Sequence, residues 1–359
     1  MADLYKRELT PIKKHLWGEC NDSISVQIHI TSRCDLKCRH CYMYDENYVV
    51  QDMEYSVFSK LIDELEAICI KEEKICYLQI TGGDPILAEK FWEFLKYIRT
   101  KSSTFKIVIM GNSFHIHEKE VKKLKKYGVV AYQISLDGLK KSHDYNRREG
   151  AFKDALRALK ILHREGIVTN VMFTVTKNNY EEFWPLTKLL NELGIVDAIG
   201  FDKVIEIGNA CENLSALSTE EYRAFLFDIF LHVITEPLEI TIEFKDNLWK
   251  LLFWELGIVN PFYDEKSVYT GCSICADTIA ILPDGSVQAC RRVNQQIAKY
   301  PDNDIKECFR EKKNNFYQRE IYENCNKCKI WGFCRGCIAT RKYIGNDYLS
   351  RDPYCWKKN

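Results

Sequence analysis

The sequence predicts an α/β protein: a partial barrel of six β/α units followed by a small cysteine-rich domain. Three observations carry that prediction. Strand-like apolar runs alternate with helical patterns six times from residue 26 onward, the composition shifts sharply after Val268, and cysteine is in large excess. At 359 residues the chain exceeds one typical domain, and an apolar content of 46% supplies ample core.

Residues 1–25 carry mixed charge and are too few for a folded domain, so they read as a lead-in. The alternation then runs 26–31 with 56–70, 75–81 with 86–100, 106–110 with 118–127, 129–136 with 151–165, 168–175 with 180–192, and 198–205 with 219–234. Strands joined through helices are parallel, and right-handed crossovers curl such a series into an arc. A closed eightfold barrel needs two more units than the chain offers, so an open barrel over 26–236 is expected, with its site at the carboxyl ends of the strands. Ser218 or Thr219 with Glu221 would cap the last helix of the series. The segment 237–267 reads as a bridge in which Trp249, Phe253 and Trp254 recur at helical spacing and pack as core. A second domain spans 268–359; there Asp284-Gly285 forms a hairpin turn that delivers Cys290 on the return strand.

Net charge is zero, with 51 residues of each sign, which leaves no electrostatic footprint for nucleic acid or an anionic membrane. No signal-peptide core and no membrane-spanning run is present, so a cytoplasmic protein is expected. In that setting 16 cysteines point to metal or redox chemistry before disulfides. Three lie at 34, 38 and 41, eight of the nine within 272–355 form a crowded array, and five (Cys20, Cys69, Cys76, Cys211 and Cys308) are scattered and read as small buried apolar residues.

The first group, Thr31-Ser-Arg-Cys34-Asp-Leu-Lys-Cys38-Arg-His-Cys41-Tyr42, follows the first strand directly. A structural zinc ion wants four ligands, and His40, adjacent to Cys41, is badly placed to be the fourth. A [4Fe–4S] cubane held by three cysteines keeps one iron without a protein ligand, which is a place for a small molecule. This loop and its position resemble the radical S-adenosylmethionine (SAM) superfamily, in which the open iron chelates the amino and carboxylate groups of SAM.

That resemblance extends to further stretches. Thr81-Gly82-Gly83-Asp84-Pro85, after the second strand, resembles the family's Gly-Gly-Glu-Pro motif, with Asp84 in place of Glu, and implies contact with the SAM amino group through Gly82 and Gly83. Ser135-Leu-Asp137-Gly138, at the end of the fourth strand, and the downstream Arg147-Arg148 resemble the Ser and Arg that hold the SAM carboxylate, a group a guanidinium can grip through two parallel bonds. Tyr42 is assigned to the same cofactor site. Phe201-Asp202-Lys203 and Ile207-Gly208-Asn209, after the sixth strand, resemble one more family stretch.

The C-terminal array of Cys275, Cys290, Cys325, Cys328, Cys334, Cys337 and Cys355, with Cys272 as an eighth thiolate, resembles the SPASM domain of many radical SAM enzymes. Two Cys-x2-Cys pairs alone would also suit zinc. The resemblance implies two auxiliary [4Fe–4S] clusters, the first on Cys272, Cys275, Cys290 and Cys337 and the second on Cys325, Cys328, Cys334 and Cys355. Two residues separate Cys334 from Cys337, where the family usually has three.

The implied chemistry is one-electron cleavage of SAM to a 5′-deoxyadenosyl radical that abstracts hydrogen from a substrate, using three [4Fe–4S] clusters and an external donor of the flavodoxin or ferredoxin type. The substrate expected from the resemblance is a peptide or protein, ribosomally made, with sulfatase maturation or a small-molecule dehydrogenation or epimerisation as alternatives. The short lead-in implies a separate leader-peptide-binding protein or recognition on the barrel itself. Asp277, Tyr42 and Cys308 are candidates for a substrate-side acid, base or hydrogen donor. The rival from another class is a zinc protein in which both cysteine groups are structural.

Overall fold

The computed structural model describes residues 23–44, 48–101, 103–210, 214–258, 272–293, 295–310, 316, 318–344 and 349–357. Residues 1–22 of the lead-in, Cys20, Cys211 and the point at which the second domain was expected to begin lie outside them.

All six expected units are present. They comprise β1 (Ser23–Thr31) with α1 (Tyr55–Glu72), β2 (Ile75–Gly82) with α2 (Phe91–Arg99), and β3 (Phe105–Met110) with α3 (Glu118–Lys126). After them come β4 (Val129–Ser135) with α4 (Lys140–Asn146) and α5 (Ala151–Arg164), β5 (Val168–Val175) with α6 (Phe183–Leu193), and β6 (Ala198–Lys203) with α7 (Thr219–Thr235). The strands alternate faces. In β1, Ile24, Val26, Ile28 and Ile30 are buried and join one core with Leu61, Leu65 and Phe94 of the helices, while Ser25 and Gln27 take the other face. Ser218 caps α7 through a reciprocal capping box with Glu221, as the sequence predicts.

Among the described residues the sheet has ten strands in the order β10-β9-β8-β1-β2-β3-β4-β5-β6-β7. Strands β1 to β7 run parallel, and the arc ends at β7 on one side and β10 on the other, which makes an open barrel. The bridge contains a seventh parallel strand, β7 (Thr241–Glu243), ahead of α8 (Leu248–Glu255). Three residues are too few to show a period-two pattern, which is why the sequence does not announce it. Trp249 and Phe253 of α8 are buried as expected.

Beyond the bridge, β8 (Thr278–Ile281) pairs in parallel with β1, so the first hairpin of the cysteine-rich region continues the barrel sheet. Strands β8 and β9 (Ser286–Gln288) are antiparallel about the Asp284-Gly285 turn, and β10 (Gln296–Lys299) pairs with β9. Gly285 has φ +84°, and a Cβ there would lie 2.2 Å from the Tyr300 carbonyl oxygen, so only glycine fits. Two short helices, α9 (Ile305–Arg310) and α10 (Ile338–Ile344), complete the described chain. No helix among the described residues is long and apolar enough to cross a membrane.

Candidate active site

A cavity of about 500 Å³ opens at the carboxyl ends of the parallel strands. Cys34, Cys38 and Cys41 line it together with Gly82 and Gly83 after β2, Asn112 after β3, Ser135 of β4 and Thr174 of β5. Burial pushes all three thiols up, that of Cys38 to about 12. Metal binding therefore has to displace protons that burial retains. Nitrogen donors are aimed at two of the sulfurs: Asn112 Nδ2 lies 3.4 Å from Cys34 Sγ and Arg147 Nη1 lies 3.6 Å from Cys38 Sγ. Such N–H groups favour thiolate and tune an iron–sulfur centre.

A zinc ion with bonds of about 2.3 Å gathers its sulfurs to within about 4 Å of one another. Among the described residues the set of three His, Cys, Asp or Glu ligand atoms lying within 4.8 Å of one another is Asp35, Asp84 and His115, and no cysteine trio packs so tightly. The donor chemistry and the wider cradle suit a cluster better than a single zinc ion.

The cysteine loop is braced from several sides. Gly82, at φ +151°, and Gly83 bring the end of β2 against its root: a Cβ would lie 2.1 Å from the Thr31 carbonyl oxygen in the first case and 2.2 Å from that of Arg33 in the second. The Gly83 and Asp84 amides donate to those same two carbonyls, at 3.0 and 2.7 Å. The glycine pair thus serves the chain's own close approach as well as facing the cavity. Gly208 and Asn209, after β6, clamp the other end. Asn209 donates from its side chain to the Cys38 carbonyl at 3.0 Å and from its amide to the Cys41 carbonyl at 3.1 Å, and Gly208, at φ +58°, leaves no room for a Cβ beside the latter. The sequence singles out Ile207-Gly208-Asn209 by resemblance, but not its contact with a loop about 170 positions away.

Of the two candidate arginines, Arg147 faces the cavity, whereas Arg148 pairs with Asp154 and lies over the Phe114 ring. Arg147 Nε donates to Asp137 Oδ2 at 2.7 Å, and Nη2 lies 3.2 Å from His40 Nε2. Burial alone would raise the Asp137 carboxyl, but Arg147, His40 and His143 together hold it well below the usual range. Asp137 also accepts from the Thr174 amide at 3.0 Å, and its own amide donates to His143 Nδ1 at 3.0 Å. It is fully buried and does not line the cavity; its contact is with Arg147. His40 does line the cavity. Burial drops its pKa to about 4, so it is neutral, and among the described residues its Nδ1 has no hydrogen-bond partner.

Asp84 is likewise outside the lining. Burial lifts its carboxyl to about 7, and Oδ1 accepts from the Asn112 amide at 3.2 Å. Tyr42 lines the cavity beneath the guanidinium of Arg291, 5.4 Å from its ring centre. Asp277 and Cys308 do not reach it; Cys308 is buried in the core, as are the scattered Cys69 and Cys76.

Part of the lining is polar. Gln27, Gln79 and Gln133 project from β1, β2 and β4. The cations facing the space are each matched by a carboxylate: Arg147 by Asp137, Lys203 by Asp246, Lys245 by Glu243 and Arg292 by Asp202. Arg292 also donates to the Lys203 carbonyl at 2.7 Å, and so joins the cysteine-rich region to the rim of the barrel.

The C-terminal thiols fall into two groups. Cys272, Cys275, Cys290 and Cys337 pack about one apolar cluster with Ile205, Ile274 and Ile338, while Cys328, Cys334 and Cys355 join the main core. Burial, then the neighbouring Cys272, pushes the Cys290 thiol up to about 12. In the other group, Arg341 Nη2 lies 3.3 Å from Cys325 Sγ and Lys357 Nζ 3.7 Å from Cys328 Sγ. Gly336, at φ +63°, turns the backbone between Cys334 and Cys337, so the two thiols join different groups although only two residues separate them.

Residues 28–190 match the Radical SAM superfamily. The chain is 30% identical over 223 residues to Fe-coproporphyrin III synthase of Methanosarcina barkeri, an alignment covering 61% of this chain and 54% of that protein, so it spans about half of that relative's length. It is 24% identical over 343 residues to the antilisterial bacteriocin subtilosin biosynthesis protein AlbA of Bacillus subtilis, covering 92% of this chain and 70% of AlbA. Among solved structures, native anSMEcpe with bound AdoMet and Cp18Cys peptide superposes with a TM-score of 0.70 at 21% identity, over 93% of this chain and 94% of that one, a likeness of fold.

Proposed function

Because the chain carries a radical SAM domain and is of the radical SAM enzyme family, we propose that its cavity binds SAM beside a [4Fe–4S] cluster on Cys34, Cys38 and Cys41 and modifies a peptide or protein substrate, ribosomally made. When bound, the cluster and SAM supply one-electron cleavage to a 5′-deoxyadenosyl radical that abstracts a substrate hydrogen. The observation that carries the reading is that all three cysteines of one short loop face the cavity that Ser135 and Arg147 also line.

The roles of the chain's own residues follow from their placement. Arg147 is aimed by Asp137 and offers its remaining N–H groups toward Cys38 and the cavity, where a carboxylate can take them. Gly82, Gly83 and Ser135 line the same space and offer backbone and hydroxyl groups to the SAM methionine end. Asp84 and Asp137 support this site from behind, through Asn112 and Arg147. Tyr42 closes the side nearest Arg291. The two C-terminal thiol groups would hold auxiliary clusters on Cys272, Cys275, Cys290 and Cys337 and on Cys325, Cys328, Cys334 and Cys355. Fully ligated centres there suit passing an electron to or from the substrate through the Arg292 side of the cavity.

A peptide substrate is favoured by the polar part of the lining. The amides of Gln27, Gln79 and Gln133 each donate and accept, as peptide groups do, while the cations facing the cavity are already matched by carboxylates. A polyanionic tetrapyrrole, the kind of substrate named for the Methanosarcina relative, would call for unmatched positive charge. The named role of AlbA in bacteriocin biosynthesis and the peptide bound to anSMEcpe point the same way. An external flavodoxin- or ferredoxin-type donor, and a separate leader-binding protein, complete the proposal.

The test is anaerobic purification followed by addition of dithionite and SAM. Brown protein with about twelve irons per chain that forms 5′-deoxyadenosine is expected. Colourless protein holding only zinc would overturn the reading.

A further inference from the structure

Three ligand atoms of Asp35, Asp84 and His115 lie within 4.8 Å of one another, and none of these residues lines the cavity. They come from three places the fold draws together: Asp35 from inside the cysteine loop, Asp84 from the turn after β2, and His115 from the loop after β3. Asp35 and His115 are partly exposed, with side chains 29% and 35% accessible, whereas Asp84 is fully buried.

The hydrogen bonds within the set are incomplete. His115 Nε2 lies 2.8 Å from Asp35 Oδ2, Asn112 Nδ2 donates to Asp35 Oδ1 at 3.3 Å, and the Asn112 amide donates to Asp84 Oδ1 at 3.2 Å. Among the described residues, Asp84 Oδ2 is buried without a hydrogen-bond partner. A carboxylate oxygen removed from water and left unpaired is costly, and a second carboxylate beside it adds repulsion. A cation at a point the Asp35, Asp84 and His115 side chains all reach would give that oxygen a partner and offset the repulsion.

We propose that Asp35, Asp84 and His115 hold a divalent first-row cation of the Mn(II) or Zn(II) kind beside the cysteine loop. Two carboxylate oxygens with one imidazole nitrogen match the ligand preferences of those ions, whereas Mg(II) and Ca(II) prefer all-oxygen sites. Water fills the remaining positions. The ion ties the stretch between Cys34 and Cys38 to the ends of β2 and β3. Asn112, which reaches Asp35, Asp84 and Cys34 Sγ, relays its presence to the first cysteine. The competing account is a metal-free set in which His115 bridges to Asp35 alone.

Mn(II) titrated into the anaerobically purified, oxidised protein separates the two, with free Mn(II) read by EPR and cluster absorbance followed throughout. One Mn(II) per chain is expected to bind and to be displaced by Zn(II). His115→Ala and Asp35→Asn should each weaken uptake by about tenfold or more, and Glu118→Gln, a surface change at the Arg164 pair, should not. His115 is partly exposed, so its variant reports on the ion without emptying a core position. No uptake, uptake unchanged in both ligand variants, or uptake that tracks loss of cluster absorbance would each overturn the proposal. SAM cleavage is not part of the readout, so protein that cleaves SAM yet binds no Mn(II) sinks this inference alone.

Discussion

The two cysteine-bearing regions are built on opposite terms. The barrel loop presents three thiols to an open cavity and is held by polar contacts: Asn209 on the Cys38 and Cys41 carbonyls, Arg147 and Asn112 at the sulfurs, and Asp137 behind Arg147. The C-terminal array has eight thiols, Cys308 apart, and none lines that cavity; Cys272, Cys275, Cys290 and Cys337 pack on apolar side chains such as Ile205, Ile274 and Ile338, while Cys328, Cys334 and Cys355 join the main core. An incomplete ligand set beside open space is suited to binding a reactant. On the proposed assignment of four thiols to each auxiliary cluster, a set embedded in packing is suited to holding a centre still while electrons pass.

The largest expected effect sets the regions against each other directly. Changing Cys34, Cys38 and Cys41 to Ala should abolish 5′-deoxyadenosine formation and leave about eight irons. Changing Cys325 and Cys328 to Ala should instead spare that cleavage and stop conversion of the substrate. Equal loss in both variants would erase the distinction. Next comes the pair of arginines: Arg147→Gln should weaken SAM binding by about tenfold to a hundredfold, the loss of roughly 1.4–3 kcal/mol, while Arg148→Gln should leave it unchanged, as measured by equilibrium binding.

Asp137→Asn tests the polar bracing and should destabilise the barrel by about 3–5 kcal/mol in denaturant melts, because Arg147 is then buried without its counter-charge. A smaller, pH-dependent effect follows from His143, whose pKa burial and Arg147 drop to about 4. The unfolded chain takes up a proton near pH 6.5 that the folded site refuses until about 4, so stability is full above 6.5 and falls by roughly 3 kcal/mol as pH drops through that window. His143→Asn should flatten the slope by about one proton. A slope unchanged in the variant would mean the loss arises elsewhere, for instance at His40, which titrates in the same range.

Much of this was legible in the sequence because it is local. The six β/α units declare themselves by period, the Ser218 box by its three-residue spacing, and the cysteine loop by proximity to β1. Strand β7 escaped because three residues carry no period, and the parallel pairing of β8 with β1 escaped because about 250 positions separate them. A separation of about 170 positions hid the contact of Asn209 with the cysteine loop. Asp84 and Asp137, by contrast, lie close in sequence to Asn112 and Arg147; they read as cofactor contacts because spacing does not disclose that their side chains turn away from the cavity to support those residues. The choice between Arg147 and Arg148 depended on which face of a short helix end turns inward, which adjacent residues of one type cannot disclose.

The proposal stands or falls on one centre being open and the others closed. EPR of the dithionite-reduced protein with and without SAM measures that difference. SAM should shift one of the cluster signals, and that shift should vanish when Cys34, Cys38 and Cys41 are replaced. Signals that ignore SAM, or a shift that survives the replacement, would contradict the account.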